Sequence, residues 1–400
     1  MSETSEKISG RMREGIEQIR GVDYDERARA ILSQEPLLSA QEVEVTFSLR
    51  GNKLTAIRRT SLDLYEGETL AIVGESGSGK SVFTKCFVGM LDKNGSITHG
   101  SIMYDGQDLT KLTEKEWLKI RGRKIAMVTQ DPMTSLNPLK TVGWQIQEAV
   151  ELHQGLKGKA AKEETLRILE AVGIPDPARR YRQYPHEFSG GMRQRVVIAI
   201  AVACKPQILI CDEPTTALDV TIQAQILDLI RRLQKEQNMT IIYITHDLGV
   251  VANVADRVAV MYAGQIIEVG MCNEVFFDPW HPYTWALLQA LPQLGVKGEK
   301  LPAIDGTPPN LFNEIHGDAF APRNRHALNI DFLEEPPMYE VTSTHMVKAW
   351  LRDPGRRRWN SPRPSPGWRR RRRKREPIRK PGIRIWIRTG KPSWRSGTCR

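Results

Sequence analysis

The sequence predicts an α/β fold around a largely parallel sheet, and three observations predict it. Strand-like and helix-like patterns alternate between about residues 37 and 270. Leu70–Val73 and Ile208–Cys211 are apolar at every position, as short strands buried on both faces are. The first of these runs straight into a glycine-rich turn and then a helical pattern.

The elements follow in order. Residues 1–35 are polar and charged, with helical hints in EKISGRMREGIEQIRG and DERARAIL, and read as a surface helix or a partly ordered arm. Leu37–Leu49 alternates in its second half and reads as a strand. A second strand, Ile57–Leu64, is turned by Glu66-Gly67-Glu68. Leu70–Val73 is the buried strand, Val82–Met90 the helix after the turn, and Ile97–Tyr104 and Ile125–Thr129 are further strands. Between residues 141 and 204 the strand signals vanish. Val142–His153 and Ala160–Val172 read as helices there, hence a helical insert. Ile208–Cys211, the amphipathic helix Ile222–Gln237 and the strands Thr240–Thr245, Val254–Tyr262 and Gln265–Val269 complete the sheet. Proline-rich segments at Asp278-Pro279 and Thr307-Pro308-Pro309 then mark a change of character. No internal repeat occurs.

The chain has 400 residues, which suits two or three domains, and 40% of them are apolar, which excludes global disorder. The longest apolar run, Val196–Cys204, is far short of the ~20 residues that span a bilayer. The N-terminal MSETSEKISGRMREG has no apolar stretch, so no secretory signal is expected. The five cysteines (Cys86, Cys204, Cys211, Cys272 and Cys399) are widely spaced, which argues against a disulfide framework or a zinc ribbon and fits a reducing cytosol. The net charge of +11 belongs to the tail. Residues 355–400 carry 18 Lys and Arg against one acid, a net +17, and leave the first 354 residues at −6. The charge therefore gives no argument for a nucleic-acid-binding body.

Two segments carry chemistry. Gly74-Glu75-Ser76-Gly77-Ser78-Gly79-Lys80-Ser81 fits G-x-x-x-x-G-K-[ST], placed between a strand and a helix. Its glycines let successive backbone N–H groups turn inward around phosphates, Lys80 can reach the β and γ phosphates, and Ser81 can ligate Mg²⁺. The alternative is a Gly/Ser-rich turn without a ligand. Ile208–Cys211 ends in Asp212 and Glu213, at the ligand edge of a parallel sheet. Asp212 there can hold Mg²⁺ and Glu213 can polarise a water for attack on the γ-phosphate. A pair of solvated strand-end acids is the alternative.

With Phe188-Ser189-Gly190-Gly191-Met192-Arg193-Gln194, shortly before the acidic strand, the residues resemble the ATP-binding subunits of ABC transporters. The segment is similar to the family signature, usually written LSGGQ, here with Phe first and Met last. Gln130 in VTQDP resembles the Q-loop, Ala217-Leu218-Asp219 the D-loop, and His246 in ITHDL the switch histidine. The resemblance implies a P-loop ABC cassette: a RecA-like core with an antiparallel β subdomain, a helical insert and a small C-terminal extension. It further implies that Ser189, Gly190 and Gly191 meet ATP on a partner subunit, and that Asp219 orders the dimer contact. Gln130 would contact Mg²⁺ and the attacking water, and His246 the γ-phosphate. Phe47 stands where the family places an aromatic under adenine; a strand Phe in the core is the alternative.

Asp278-Pro279-Trp280-His281-Pro282-Tyr283-Thr284, the run Gln130–Pro138 and the segment Gly317–Val341 resemble the oligopeptide and dipeptide importers. The implied organisation is a polar N-terminal extension (1–36), a nucleotide-binding domain (37–275) with its helical part at about 132–204, a C-terminal extension (276–353) and an Arg/Trp-rich tail (354–400). The implied partners are a second, different cassette, two membrane permeases and an external peptide-binding protein, with no nucleic acid. The implied place is the cytoplasmic face of the membrane. Many members of this branch carry four cysteines suited to an iron–sulfur cluster. Aligned positions here are Asp318, Asn324, Asp331 and Ala349, so no cluster is expected, and solvated polar residues are. The tail, with Arg369–Arg373 in a row, reads as a lipid- or nucleic-acid-binding arm, a disordered arm, or an out-of-frame continuation. The competing function is a soluble ABC-type ATPase acting on nucleic acid or ribosomes.

Overall fold

A computed structural model describes residues 24–49, 51–216, 218–290 and 304–353. The basic tail, most of the N-terminal extension and Ala217 lie outside the described residues. α1 (Tyr24–Leu32) precedes a hairpin of β1 (Leu38–Leu49) and β2 (Asn52–Leu64). β3 (Thr69–Val73) leads through the glycine-rich turn into α2 (Lys80–Cys86). β4 (Gly95–Tyr104), β5 (Gln107–Asp108), α3 (Glu114–Ile120) and β6 (Ile125–Val128) follow. A helical stretch holds α4 (Pro132–Ser135), α5 (Val142–Gln154), α6 (Gly158–Ala171), α7 (Pro177–Arg180) and α8 (Gly190–Val202). Strands and helices then alternate through β7 (Ile208–Asp212), α9 (Val220–Gln237), β8 (Thr240–Thr245), α10 (Leu248–Val254), β9 (Arg257–Tyr262) and β10 (Gln265–Met271). α11 (Cys272–Phe277), α12 (Pro282–Gln289), β11 (Tyr339–Glu340) and β12 (Met346–Val347) complete the described chain.

Two sheets result. The first is antiparallel, in the order β2-β1-β4-β5, and the second runs β11-β12-β10-β9-β3-β8-β7-β6. Within the second, β6, β7, β8, β3 and β9 are parallel. Every residue of β3, β7, β8 and β9 is buried, and successive side chains leave for opposite faces. Ala71, Leu209, Ile241 and Val258 join a core with Ile146, Ile198 and Ile226 of the helices. Leu70, Ile72, Ile210 and Ile242 join the other, with Val43, Ile57 and Phe83. The continuous apolar runs in the sequence are therefore the middle layer between helices and the antiparallel sheet.

The structure adds helices that the sequence reading did not contain, α3, α11 and α12 among them, and departs from it in further places. β2 starts at Asn52, because the hairpin pairs Leu49 with Asn52, and backbone pairing extends past the apolar alternation. α2 stops at Cys86 because Gly89 is left-handed and packs under the Trp117 ring, where a Cβ would collide. Val254 belongs to a helix, since Asp247 accepts the N–H groups of Gly249 (2.9 Å) and Val250 (3.4 Å) and starts α10 there. Finally, of the two readings of residues 1–35, a surface helix or a partly ordered arm, the described part is a helix, α1, and it packs into the core. Tyr24 and Ile31 are buried on one stripe, and Arg27 donates to Gly67 O (2.7 Å) and Asp256 Oδ2 (3.3 Å).

The C-terminal extension also corrects an expectation. Asp318 and Asp331 are buried rather than solvated. Asp318 Oδ1 accepts the Phe320 N–H (2.9 Å), Asp331 Oδ2 the Leu328 N–H (2.5 Å), and Asn324 Oδ1 the His326 N–H (2.8 Å). Their oxygens hold turns together. Burial raises the Asp318 carboxyl from 3.8 to about 6, against the Phe320 N–H, Arg58 and Lys348 and with help from Glu335. The folded chain thus holds this proton more tightly than the unfolded chain, and stability falls as pH rises from about 4 through 6. At pH 7.5 the ionised group costs on the order of 1–3 kcal/mol. Asp318→Asn keeps the acceptor for Phe320, so Tm should rise at pH 7.5 and the gain should fade towards about pH 5. A variant that melts lower than the parent at pH 7.5 would contradict this account of Asp318.

Candidate functional site

The carboxyl ends of four neighbouring parallel strands, β6, β7, β8 and β3, carry the site. β3 delivers the turn Gly74–Ser81. Gly74 has φ +152°, and a Cβ there would run into the carbonyl oxygen of Met261 on β9, so only glycine fits. Lys80 opens α2 and is buried. Its Nζ donates to the carbonyl oxygens of Gly74 and Glu75, both at 2.9 Å, and lies 3.4 Å from Ser78 Oγ. Burial lowers its pKa, against the nearby carboxylates of Glu213, Asp212 and Glu75. A buried ammonium held by neutral oxygens of its own loop is suited to exchange them for phosphate oxygens.

β7 delivers the two acids. Asp212 Oδ1 accepts the Ser81 hydroxyl at 3.0 Å. Burial raises its carboxyl pKa, while the Ser81 hydrogen bond opposes the shift. Glu213 has φ +45°, a conformation that costs a non-glycine residue ~1–3 kcal/mol. The strand pairing enforces it: the Glu213 N–H donates to Ile244 O of β8 at 2.9 Å. The side chain is thereby turned towards the neighbouring strand ends. Its Oε2 accepts from Gln130 Nε2 (3.0 Å), beyond β6, and from Thr216 Oγ1 (2.9 Å). Its Oε1 lies 3.2 Å from Nδ1 of His246, just past β8. A carboxylate so fixed, open enough for water to reach, can serve as a base beside a phosphate loop.

Gln130, Asp212, Glu213, His246, Lys80 and Ser81 therefore lie together at one sheet edge. Other residues stand differently. Glu75 is drawn out of its loop: its N–H donates to Tyr283 Oη (2.8 Å) and its carboxylate pairs with Arg323. Phe47 is 9% exposed, with its ring packed on Gly95, which is a core position in the antiparallel sheet. Ser189 caps α8, accepting the Met192 N–H at 3.4 Å. A Cβ on Gly191 would lie 2.6 Å from Ile222, so the signature packs against the start of α9. Asp219 caps α9, accepting from Thr221 N (3.1 Å) and Ile222 N (3.0 Å), a contact worth about 1 kcal/mol. Sequence reasoning missed Thr216, Tyr283 and Arg323. Thr216, three residues past Glu213, was within reach of it. The other two meet Glu75 across 208 and 248 residues, and no local pattern signals such contacts.

Known proteins match this arrangement. A family model described as ABC transporter matches residues 57–216, and one described as Oligopeptide/dipeptide transporter, C-terminal region, matches residues 267–330. The dimeric post-hydrolysis structure of the ATP-binding cassette MJ0796 bound to ADP and Pi is similar, with a TM-score of 0.53 and 28% identity, over 59% of this chain and 98% of that one. The fold and site are those of an ABC-type ATPase, a P-loop cassette that binds and hydrolyses ATP. Among curated relatives, the oligopeptide transport ATP-binding protein AmiE of Streptococcus pneumoniae is 59% identical over 316 residues, 79% of this chain and 89% of that protein. OppD of Bacillus subtilis, also an oligopeptide transport ATP-binding protein, is 56% identical over 320 residues, 80% of this chain and 89% of its own. The chain belongs to this family of oligopeptide and dipeptide transport ATP-binding proteins. These matches give no support to a soluble ATPase acting on nucleic acid or ribosomes.

The ammonium of Lys80 has no duplicate in the loop. Lys80→Ala should therefore weaken ATP binding by about 100-fold or more. Equilibrium titration of the purified chain with a fluorescent ATP analogue measures it, and unchanged affinity would remove Lys80 from the site.

Proposed function

We propose that this chain is the ATP-hydrolysing motor subunit of an importer that takes up oligopeptides or dipeptides. The carrying observation is the Glu213 carboxylate, held by Gln130, Thr216 and His246 beside Lys80 and Ser81. The names of relatives that span nearly the same chain support the peptide cargo. The glycine-rich turn and Lys80 bind the phosphates, Glu213 takes the proton of the attacking water, and Gln130 and His246 orient that water and the γ-phosphate. Ser81 Oγ, an Asp212 oxygen and the Gln130 amide oxygen would hold Mg²⁺. All three are hard oxygen donors, and the first two already meet at 3.0 Å. Among the described residues no group of three or more His, Cys, Asp or Glu is arranged for a metal, which suits an ion that draws its other ligands from phosphate and water. Bound there, Mg²⁺ would neutralise phosphate charge.

Ser189, Gly190 and Gly191 then face the nucleotide of a second, paired cassette, and Asp219 orders that contact from the start of α9. Phe47 and Glu75 are assigned no direct nucleotide contact. The nucleotide-binding domain spans 37–275 and the extension 276–353. No iron–sulfur cluster is assigned, because Asp318, Asn324 and Asp331 spend oxygens on backbone N–H groups and Ala349 offers no donor. Among the described residues no helix is long and apolar enough to cross a membrane. The chain is assigned to the cytoplasmic face, docked on two permeases that receive peptide from an external binding protein. Met133, Leu139 and Trp144 are exposed in the helical part beyond Gln130, at 61%, 82% and 42%, and offer the apolar contact for docking. Motion of the Gln130 loop would couple that surface to hydrolysis.

Glu213→Gln keeps the shape and loses the base. It should bind ATP, hydrolyse it on the order of 10²-fold more slowly or worse, and elute as an ATP-dependent dimer on gel filtration. Normal turnover without a dimer shift counts against the assignment. Affinity purification in mild detergent should recover two permeases and a second cassette, and Leu139→Asp should weaken that recovery while ATP binding persists. Recovery of ribosomes or nucleic acid in their place overturns the reading.

A further inference from the structure

The phosphate loop is held from outside the cassette. Arg323, in the C-terminal extension, forms a two-pronged ion pair with Glu75, with Nη1–Oε2 at 2.7 Å and Nη2–Oε1 at 3.0 Å. The Arg323 side chain is 4% exposed, whereas Glu75 keeps 26%. The rest of the guanidinium is also committed: Nε donates to Asp305 O (2.8 Å), and Nη1 is 3.2 Å from Tyr262 Oη. Tyr262, Tyr283 and Phe320 wall it in, with ring centroids 4.6–5.4 Å apart. Tyr283, from α12, accepts the Glu75 N–H. Side chain and backbone of one loop residue are thus both fixed by residues beyond 276.

Glu75 places a negative charge in the loop that must receive a triphosphate. Left alone, it would repel the ligand. Paired with a buried, bidentate arginine, it is neutralised and fixed in direction. We propose that Arg323 is a positioning residue for ATP: it cancels the Glu75 charge and holds the loop open, so that the C-terminal extension sets the affinity of the cassette for nucleotide. The proposal rests on the phosphate loop being the ATP site and adds a task for the extension. That task belongs to the nucleotide and not to the peptide.

A double-mutant cycle on the full-length chain tests it, read by titration with ATP, ADP and adenosine. Arg323→Gln should weaken ATP binding about tenfold, within the usual 5–150-fold range of coupling between sites, and ADP by less. Adenosine, which carries no phosphate, should be little affected. Adding Glu75→Gln to Arg323→Gln should bring ATP affinity back to within about threefold of that of Glu75→Gln alone. Thermal melts of each variant confirm folding. If Arg323→Gln leaves ATP affinity unchanged, or if the loss persists in the double variant, the arginine acts only by anchoring the extension and the proposal fails. Lys80→Ala separates the two levels. If that variant binds ATP normally, the site assignment itself falls; if it does not bind and only the Arg323 series is flat, the site stands and this inference alone is lost.

Discussion

The parallel register of four strands is the constraint on which the rest depends. Val73 pairs with Thr245, Asp212 with Ile244, and Val128 with Cys211. The residues just past those pairs are Gly74, His246, Glu213 and, two further on, Gln130. Hydrogen bonding between buried backbones thus sets the row of groups at the sheet edge. A slip of one residue in any strand would send its apolar set to the wrong core and withdraw its functional side chain. The two cores fix the register because alternate residues of β3, β7 and β8 each have their own cluster to fill.

The same pairing explains why Glu213 accepts an unfavourable backbone conformation. Its N–H is claimed by Ile244 O, and the turn that follows must leave the sheet at once. The local cost of ~1–3 kcal/mol is a sizeable share of the ~5–15 kcal/mol by which a domain is stable, and the buried strand pairing offsets it. In return the carboxylate is aimed at Gln130, Thr216 and His246, three groups from three separate segments. The Gln130 segment is thereby joined to Glu213 by a direct hydrogen bond, the contact on which the proposed coupling of the helical part to hydrolysis rests.

The extension is integrated with the cassette rather than appended to it. β12 pairs with β10 and carries the main sheet outward through β11. Gln265 of β10 bonds Glu335, and Lys348 and Arg58 both pair with that same carboxylate. Buried Asp318 and Asp331 close its turns by accepting backbone N–H groups. The extension thereby reaches Glu75 with a rigid arm.

The sequence by itself determined the main strands and the two long helices of the insert, the phosphate turn, the acidic pair and the positions of Gln130 and His246. These are local patterns: runs of apolar residues, glycines in a turn, acids at a strand end. It also allowed the resemblance that carried the signature and the cargo class. It was silent or misleading wherever contacts join distant segments. The sequence left α1 as a surface helix or a partly ordered arm, because only tertiary packing buries Tyr24 and Ile31. Asp318 and Asp331 looked like surface acids because their partners are backbone N–H groups, which leave no mark in composition. For Phe47 the sequence left adenine and core as alternatives, and the fold places its ring in a core; Asp219 also caps α9, a task that the resemblance did not signal. Arg323 and Glu75 could not be paired from sequence at all. Their meeting depends on how the extension folds back over β9 and α12, and only the tertiary structure decides that.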